Sequence, residues 1–191
     1  SLLPSLLEVL KRNIDRKAPL VRVFEWGRVF HRDSSVKADL AHVQGIQQPM
    51  KLAALAWGAP QALQWGLASK AADFYDVKGD IEALFSQYFS TKPACAAITF
   101  EAYTADAVHP ALHPGRSAQI LKNGQAIGWL GELHPKWAQQ QDIKPAPIVF
   151  EIDAAALQAG QLPRAQAVSR FQPVARDLSL VVAEAVTHAQ V

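Results

Sequence analysis

The stretch LHPGRSAQILKNGQAIGWLGELHP, Leu112 to Pro135, reads as two strands joined by a tight turn. Asn123-Gly124 supplies two residues that accept positive φ, the strongest short-range hairpin signal a sequence carries. Ser117–Lys122 leads into the turn and Gln125–Leu133 leads out. On the second strand Ala126, Gly128 and Leu130 share one parity, and Ile127, Trp129 and Leu133 the other. Upstream, Pro114-Gly115 fits the centre of a type II turn, where proline presets φ and glycine takes φ > 0. Downstream, His134-Pro135 ends the ladder because proline has no N–H to donate. These residues define a hairpin inside an α+β domain and leave its function open.

Outward from the hairpin, Leu3, Leu6, Leu7, Leu10 and Ile14 recur at helical spacing and predict an amphipathic helix over about Ser5–Arg16. Val21–Phe30 reads as a strand pair or as one strand bent at Gly27, Arg32–Gln48 as a polar loop, and Met50–Trp57 as a strand. A short helix is expected over Gln61–Ala68. Asp73 caps the best helix, whose apolar stripe is Val77, Ile81, Leu84, Phe85 and Tyr88; Asp73 and Asp76 suit its positive end. Gly79 inside it costs about 1 kcal/mol relative to alanine, a cost that close approach of another backbone would justify. Ala96–Tyr103 and Ile148–Ile152 read as strands, Pro135–Gln141 as a short helix, and Asp153 as the cap of a last short helix. Leu178–Val182 is a strand without an obvious partner. The inventory predicts an α+β domain, an antiparallel sheet flanked by helices.

At 191 residues, half of them apolar, the chain holds one sizeable core, or one domain and part of another. No apolar run approaches the ~18 residues of a membrane span, and no charged-then-apolar leader opens the sequence. The single cysteine, Cys95, forms no internal disulfide and points to a reducing compartment, the cytoplasm. The opening residue is not methionine and the last residues are strand-like, so the chain reads as an excerpt of a longer polypeptide. Net charge is only +2, yet Ser1–Arg32 holds seven Lys or Arg against three acids, a local excess of four. Such a cluster attracts phosphates, or is the solvated side of an amphipathic helix.

Residues that carry chemistry are sparse. His109, His113 and His134 each precede proline, which favours turn roles over ligation, and no H-E-x-x-H or C-x-x-C frame exists. G-x-S-x-G and the phosphate-binding glycine loops are missing, and Cys95 precedes an apolar strand as a core thiol would. The five Trp and eight Phe could stack bases, but their strand and helix spacing reads as that of core residues.

Five segments, in order, carry a family resemblance: SLLPSLLEVLKRN (Ser1–Asn13), VRVFEWGRVF (Val21–Phe30), DFYDVKGDIEALF (Asp73–Phe85), LHPGRSA followed by IGWLGELHP, and SRFQPVARDLSLVV (Ser169–Val182). Together they resemble the C-terminal half of the beta subunit of bacterial phenylalanyl-tRNA synthetase. Within them GRVFHRD (Gly27–Asp33) resembles motif 2 of class II aminoacyl-tRNA synthetases, whose Phe-Arg-x-Glu/Asp phrase grips the ATP α-phosphate. Phe30 and Asp33 match its ends, but His31 stands where the arginine belongs. Histidine offers no bidentate fork, and Arg32, one residue on, points to the opposite face of a strand. Gly128-Trp129-Leu130-Gly131-Glu132 has the glycines of motif 3 without its arginine, so charge developing at a phosphate has no counter-charge.

The resemblance therefore implies a class II synthetase-like domain over 1–162 that has lost its chemistry, a linker over 163–168, and over 169–191 the truncated start of a ferredoxin-like anticodon-binding domain. It implies no catalytic, cofactor-binding or metal residue in this chain. ATP and Mg²⁺ serve the whole enzyme, a heterotetramer of two alpha and two beta chains in which alpha is catalytic and tRNA is charged with phenylalanine. The first helix resembles motif 1, used at subunit interfaces, which makes Leu2, Leu3, Leu6, Leu7 and Leu10 candidates for contact with alpha, or else the cover of their own sheet. An autonomous tRNA-binding or assembly module of another class II-like protein is the alternative. The family's editing and DNA-binding-like modules match nothing here.

Overall fold

The computed structural model describes residues 1–40, 42–66, 70–88, 98–103, 109–158, 171–172, 174–186 and 190–191. Cys95 and the expected linker 163–168 lie outside them. In chain order the elements are α1 (Leu3–Asp15), β1 (Leu20–Arg28), β2 (His31–Arg32), β3 (Ile46–Gln47), β4 (Met50–Gly58), α2 (Phe74–Tyr88), β5 (Ile98–Ala102), β6 (Leu112–Lys122), β7 (Gln125–Leu133), α3 (Pro135–Gln140), β8 (Ile148–Asp153) and α4 (Ala154–Gln158). Six strands form one antiparallel sheet in the order β1-β4-β8-β7-β6-β5.

Helices cover both faces of this sheet. On one, Leu2, Leu3, Leu6 and Leu10 of α1 and Ala138 of α3 pack on Val21, Leu55, Trp129 and Val149. On the other, Val77, Ile81 and Phe85 of α2 and Leu157 of α4 pack on Leu52, Ile120, Leu130 and Phe150. Each fully buried leucine or isoleucine contributes roughly 1.5–3 kcal/mol of burial free energy. β8, central and flanked by β4 and β7, is buried on both faces except at Asp153. The α+β sheet flanked by helices is as the sequence predicts.

The hairpin also stands: Asn123 (φ 53°) and Gly124 (φ 76°) turn the chain between β6 and β7. Its details differ in two places. Pro114-Gly115 is not a type II turn, because Gly115 is outside the positive-φ glycines and lies within β6. Between the pairs Leu112↔Leu133 and Ser117↔Gly131, β6 advances five residues while β7 advances two. His113–Arg116 therefore bulges within a continuous strand. The second difference is Ile127. The pairs Ile120↔Gly128 and Leu121↔Ala126 leave it as the extra residue of a bulge, so it joins the α2–α4 face rather than that of Trp129.

Other local expectations are revised. β1 is one strand whose register runs unbroken through Gly27; what the missing Cβ accommodates is Leu2, whose Cδ2 would lie 3.1 Å from it. Of the helix expected over Gln61–Ala68, residues 61–66 are not helical, with Leu63 and Trp65 in solvent, and 67–68 lie outside the described residues. Gly79 faces open space instead of another backbone. Asp153 directly precedes α4, where the sequence expects it, and its carboxylate meets Lys51 across the β4–β8 pair at 2.6 Å. Leu178–Val182 is exposed and not a strand, with no partner strand among the described residues.

Two helix starts follow the expected chemistry. Asp73 Oδ1 accepts the N–H groups of Tyr75 (2.8 Å) and Asp76 (3.0 Å), while Asp76 accepts the N–H of Asp73 (2.9 Å), a reciprocal capping box. These bonds, first that between Asp73 and Asp76, hold the Asp73 carboxyl below its usual range. At α3, Pro135 opens the helix and His134 Nδ1 accepts the N–H of Lys136 at 3.1 Å.

Candidate functional site

Three places in this fold carry the residues that the sequence singled out. The first is the start of α1. Its N-cap residue, Leu2, has no side-chain oxygen to offer the helix. The carboxylate comes instead from β8: Glu151 Oε2 accepts the N–H of Leu2 at 2.7 Å and the hydroxyl of Ser1 at 2.8 Å. A negative charge at this end also complements the helix dipole. Glu151 is buried among apolar neighbours, a position the sequence marks only as an acid between Phe150 and Ile152. Of the five candidate interface leucines, Leu2, Leu3, Leu6 and Leu10 are buried in the protein's own core and Leu7 is half-buried at the helix flank.

The second place is the β1–β4 hairpin. Arg28 pairs with Met50, His31 with Gln47 and Arg32 with Ile46, so β2–β3 continues the β1–β4 register without a slip. The gap falls opposite Gln48 and Pro49, where proline lacks an N–H, although Val29 still donates to the Pro49 carbonyl at 3.0 Å. His31 and Arg32 are both exposed and, as neighbours on a strand, point to opposite faces. His31, expected from the sequence in place of motif 2's arginine, is thus an exposed imidazole on β2.

The third place is β7 with its neighbours. A Cβ on Gly128 would lie 2.1 Å from the Glu151 carbonyl oxygen, and one on Gly131 2.7 Å from Ser117 Cβ. These glycines admit adjacent strands, not a ligand. The three His-Pro phrases share one geometry: Nδ1 of His109, His113 and His134 accepts the N–H two residues on, at 3.3, 3.0 and 3.1 Å. That role requires the proton on Nε2. His109 also stacks on Trp129, ring centroids 4.6 Å apart, and burial pushes its pKa down against the opposing pull of Glu151.

Two clefts open on the α2–α4 face. The larger, about 820 Å³, lies between the start of α2 and the β6 bulge, with Phe74, Phe100 and the Arg116–Glu132 ion pair (2.8 Å) on its walls. The smaller, about 420 Å³, runs beside the edge strand β1, between Phe24 and Trp26 on one side and Leu84 and Leu157 on the other. Among the described residues no group of three His, Cys, Asp or Glu converges as a metal site, and no helix is long and apolar enough to cross a membrane.

A six-stranded antiparallel sheet with helices on both faces is a class II aminoacyl-tRNA synthetase-like fold. It superposes on a pyrrolysyl-tRNA synthetase from Desulfitobacterium hafniense with a TM-score of 0.50 at 12% identity, covering 83% of this chain and 46% of that one. The family is narrower. The profile described as "Phenylalanyl tRNA synthetase beta chain CLM domain" matches residues 1–154, and the chain belongs to that family. It is 47% identical over 182 residues to the phenylalanine–tRNA ligase beta subunit of Bordetella parapertussis, covering 95% of this chain and 21% of the relative. The beta subunit of Burkholderia lata is 47% identical over 186 residues (97% and 22%), and that of Dechloromonas aromatica 47% over 182 (95% and 21%). The chain spans about a fifth of the length of these curated relatives.

Proposed function

We propose that this chain is a synthetase-like module from the C-terminal part of a phenylalanine–tRNA ligase beta subunit. It has no chemistry of its own, assembles with the catalytic alpha subunit in a cytoplasmic heterotetramer of two alpha and two beta chains, and helps to place tRNA. ATP and Mg²⁺ serve the alpha subunit, where tRNA is charged with phenylalanine. In this reading residues 1–162 are the synthetase-like domain, 163–168 a linker, and 169–191 the start of a ferredoxin-like anticodon-binding domain. The observation that carries it is the beta-chain family match over 1–154 on a synthetase fold. His31 at the phosphate-gripping position supports the absence of chemistry.

The contact with alpha is proposed for α1, within the stretch Leu2, Leu3, Leu6, Leu7 and Leu10. Since four of these leucines also build the core, the part free to meet a partner is the open side of the half-buried Leu7. The test is co-purification of the chain with the alpha subunit. A stable complex that Leu7→Asp weakens, with circular dichroism unchanged, is the expected result. Absence of a complex with a folded chain would overturn the assembly role. Stoichiometric ATP binding by the chain alone, read by calorimetry, would overturn the silent reading.

A further inference from the structure

The β1–β4 hairpin carries a pattern that assembly through α1 leaves unused. From Arg22 to Arg32 the even positions are Arg22, Phe24, Trp26, Arg28, Phe30 and Arg32, and all six are exposed. The odd positions from Val21 to Val29 are buried or half-buried beside α1. Because β2–β3 keeps the register of β1–β4, the alternation is not reset at the gap. Six side chains therefore share one face over about 33 Å, neighbours being about 6.6 Å apart.

This face is aromatic and cationic with no acid of its own. Phe24 is 74% exposed, Trp26 47% and Phe30 67%, and β1 is an edge strand of the sheet. Asp80 of α2 pairs with Arg22 from across the smaller cleft, whereas Arg28 and Arg32 make no ion pair among the described residues. Opposite the ladder, β4 contributes Ala54 and Ala56 to the cleft floor, side chains too small to fill it. An exposed row of rings interleaved with free guanidinium groups meets two needs at once: a π-face for a base and a counter-charge for a phosphate. A peptide would satisfy the rings but would need a carboxylate for each free arginine.

We propose that this face binds single-stranded RNA. Unpaired nucleotides stack on Phe24, Trp26 and Phe30, and their phosphates meet Arg28 and Arg32. The proposal rests on the reading that the module helps to place tRNA, and it names the surface and the unpaired form of RNA that it takes.

The probe is a fluorescein-labelled twelve-nucleotide oligouridine, titrated with the full 191-residue chain and followed by anisotropy over a range of salt. Phe24→Ala with Trp26→Ala is expected to weaken binding about 100-fold, about tenfold for each ring lost, with circular dichroism unchanged because both rings are exposed. Arg28→Gln with Arg32→Gln is expected to flatten the slope of log K against log salt by about 1.4. Trp26→Phe, which keeps a ring, should retain most of the affinity. No RNA affinity, or affinity indifferent to the ring and arginine variants, overturns the proposal. If the ring variants lose the alpha subunit and leave RNA binding unchanged, the face is a protein surface and the proposal is likewise overturned. An intact alpha complex without RNA binding leaves the assembly reading standing while this one fails. RNA binding through the ladder without an alpha complex does the reverse.

Discussion

Glu151, on the central strand, accepts the N–H of Leu2 at 2.7 Å and so caps a helix whose N-cap residue lies 149 residues earlier in the chain. Two donors, the Leu2 amide and the Ser1 hydroxyl, depend on this one buried oxygen. Glu151→Ala removes their acceptor and should lower stability by about 3 kcal/mol, at the upper end for a buried group left unpaired. Glu151→Gln, whose amide oxygen still accepts, should lose less. Urea midpoints of both variants, with amide exchange of the first turn of α1, measure the difference.

Leu10 is fully buried between α1 and the sheet. Leu10→Ala should cost about 2–5 kcal/mol, and Leu10→Asp should unfold the domain, because an unpaired carboxylate would replace a core side chain. Leu7→Asp, at the half-buried flank, should keep the fold. Thermal melts of the three variants separate the core from any partner surface; equal losses would show that the flank is core as well.

Two glycines should respond in opposite directions. Gly79 is exposed on α2, and a Cβ added there would have nothing within 4 Å, so Gly79→Ala should stabilise by about 1 kcal/mol. At Gly128 the added carbon would meet the Glu151 carbonyl oxygen at 2.1 Å. That clash is with backbone, so Gly128→Ala should split β7 from β8 and destabilise by more than about 3 kcal/mol. Chemical denaturation of both reads the signs.

His109 sets a pH dependence. Burial depresses its folded pKa below the unfolded value of 6.5, so between those two values the unfolded state binds more protons. Stability is therefore fully present above about pH 6.5 and falls as pH drops from there to the folded pKa. Protonation of Nδ1 would also end its acceptance of the Ala111 N–H. His109→Phe keeps a ring against Trp129 and removes the titration. Its urea midpoint should fall less than the parent's between pH 7.5 and 5.5; parallel curves would place the dependence elsewhere.

The larger elements were legible because their signals are local. Asn123-Gly124 admits positive φ, leucines at helical spacing make α1 amphipathic, and Asp73 with Asp76 caps α2 within four residues of chain. The bulges were not legible. Whether Pro114-Gly115 turns or bulges depends on Leu112 finding Leu133 across the sheet, and Ile127 changes face because of where Leu121 pairs. Gly79 misled for a similar reason: a helical glycine declares a missing Cβ but not what lies beside it.

The candidate site divides in the same way. By itself the sequence determined the sheet-and-helix class and the family phrases, since these are properties of residue identity and short-range spacing. Only the tertiary structure decided that Leu2, Leu3, Leu6 and Leu10 are spent inside, that Glu151 holds α1, and that Phe24, Trp26 and Phe30 remain in solvent beside arginines. Periodicity says which residues share a face. Burial is set by whether another element, distant in sequence, packs on that face: α1 covers the odd residues of β1, while α2 and α4 leave its even ones open.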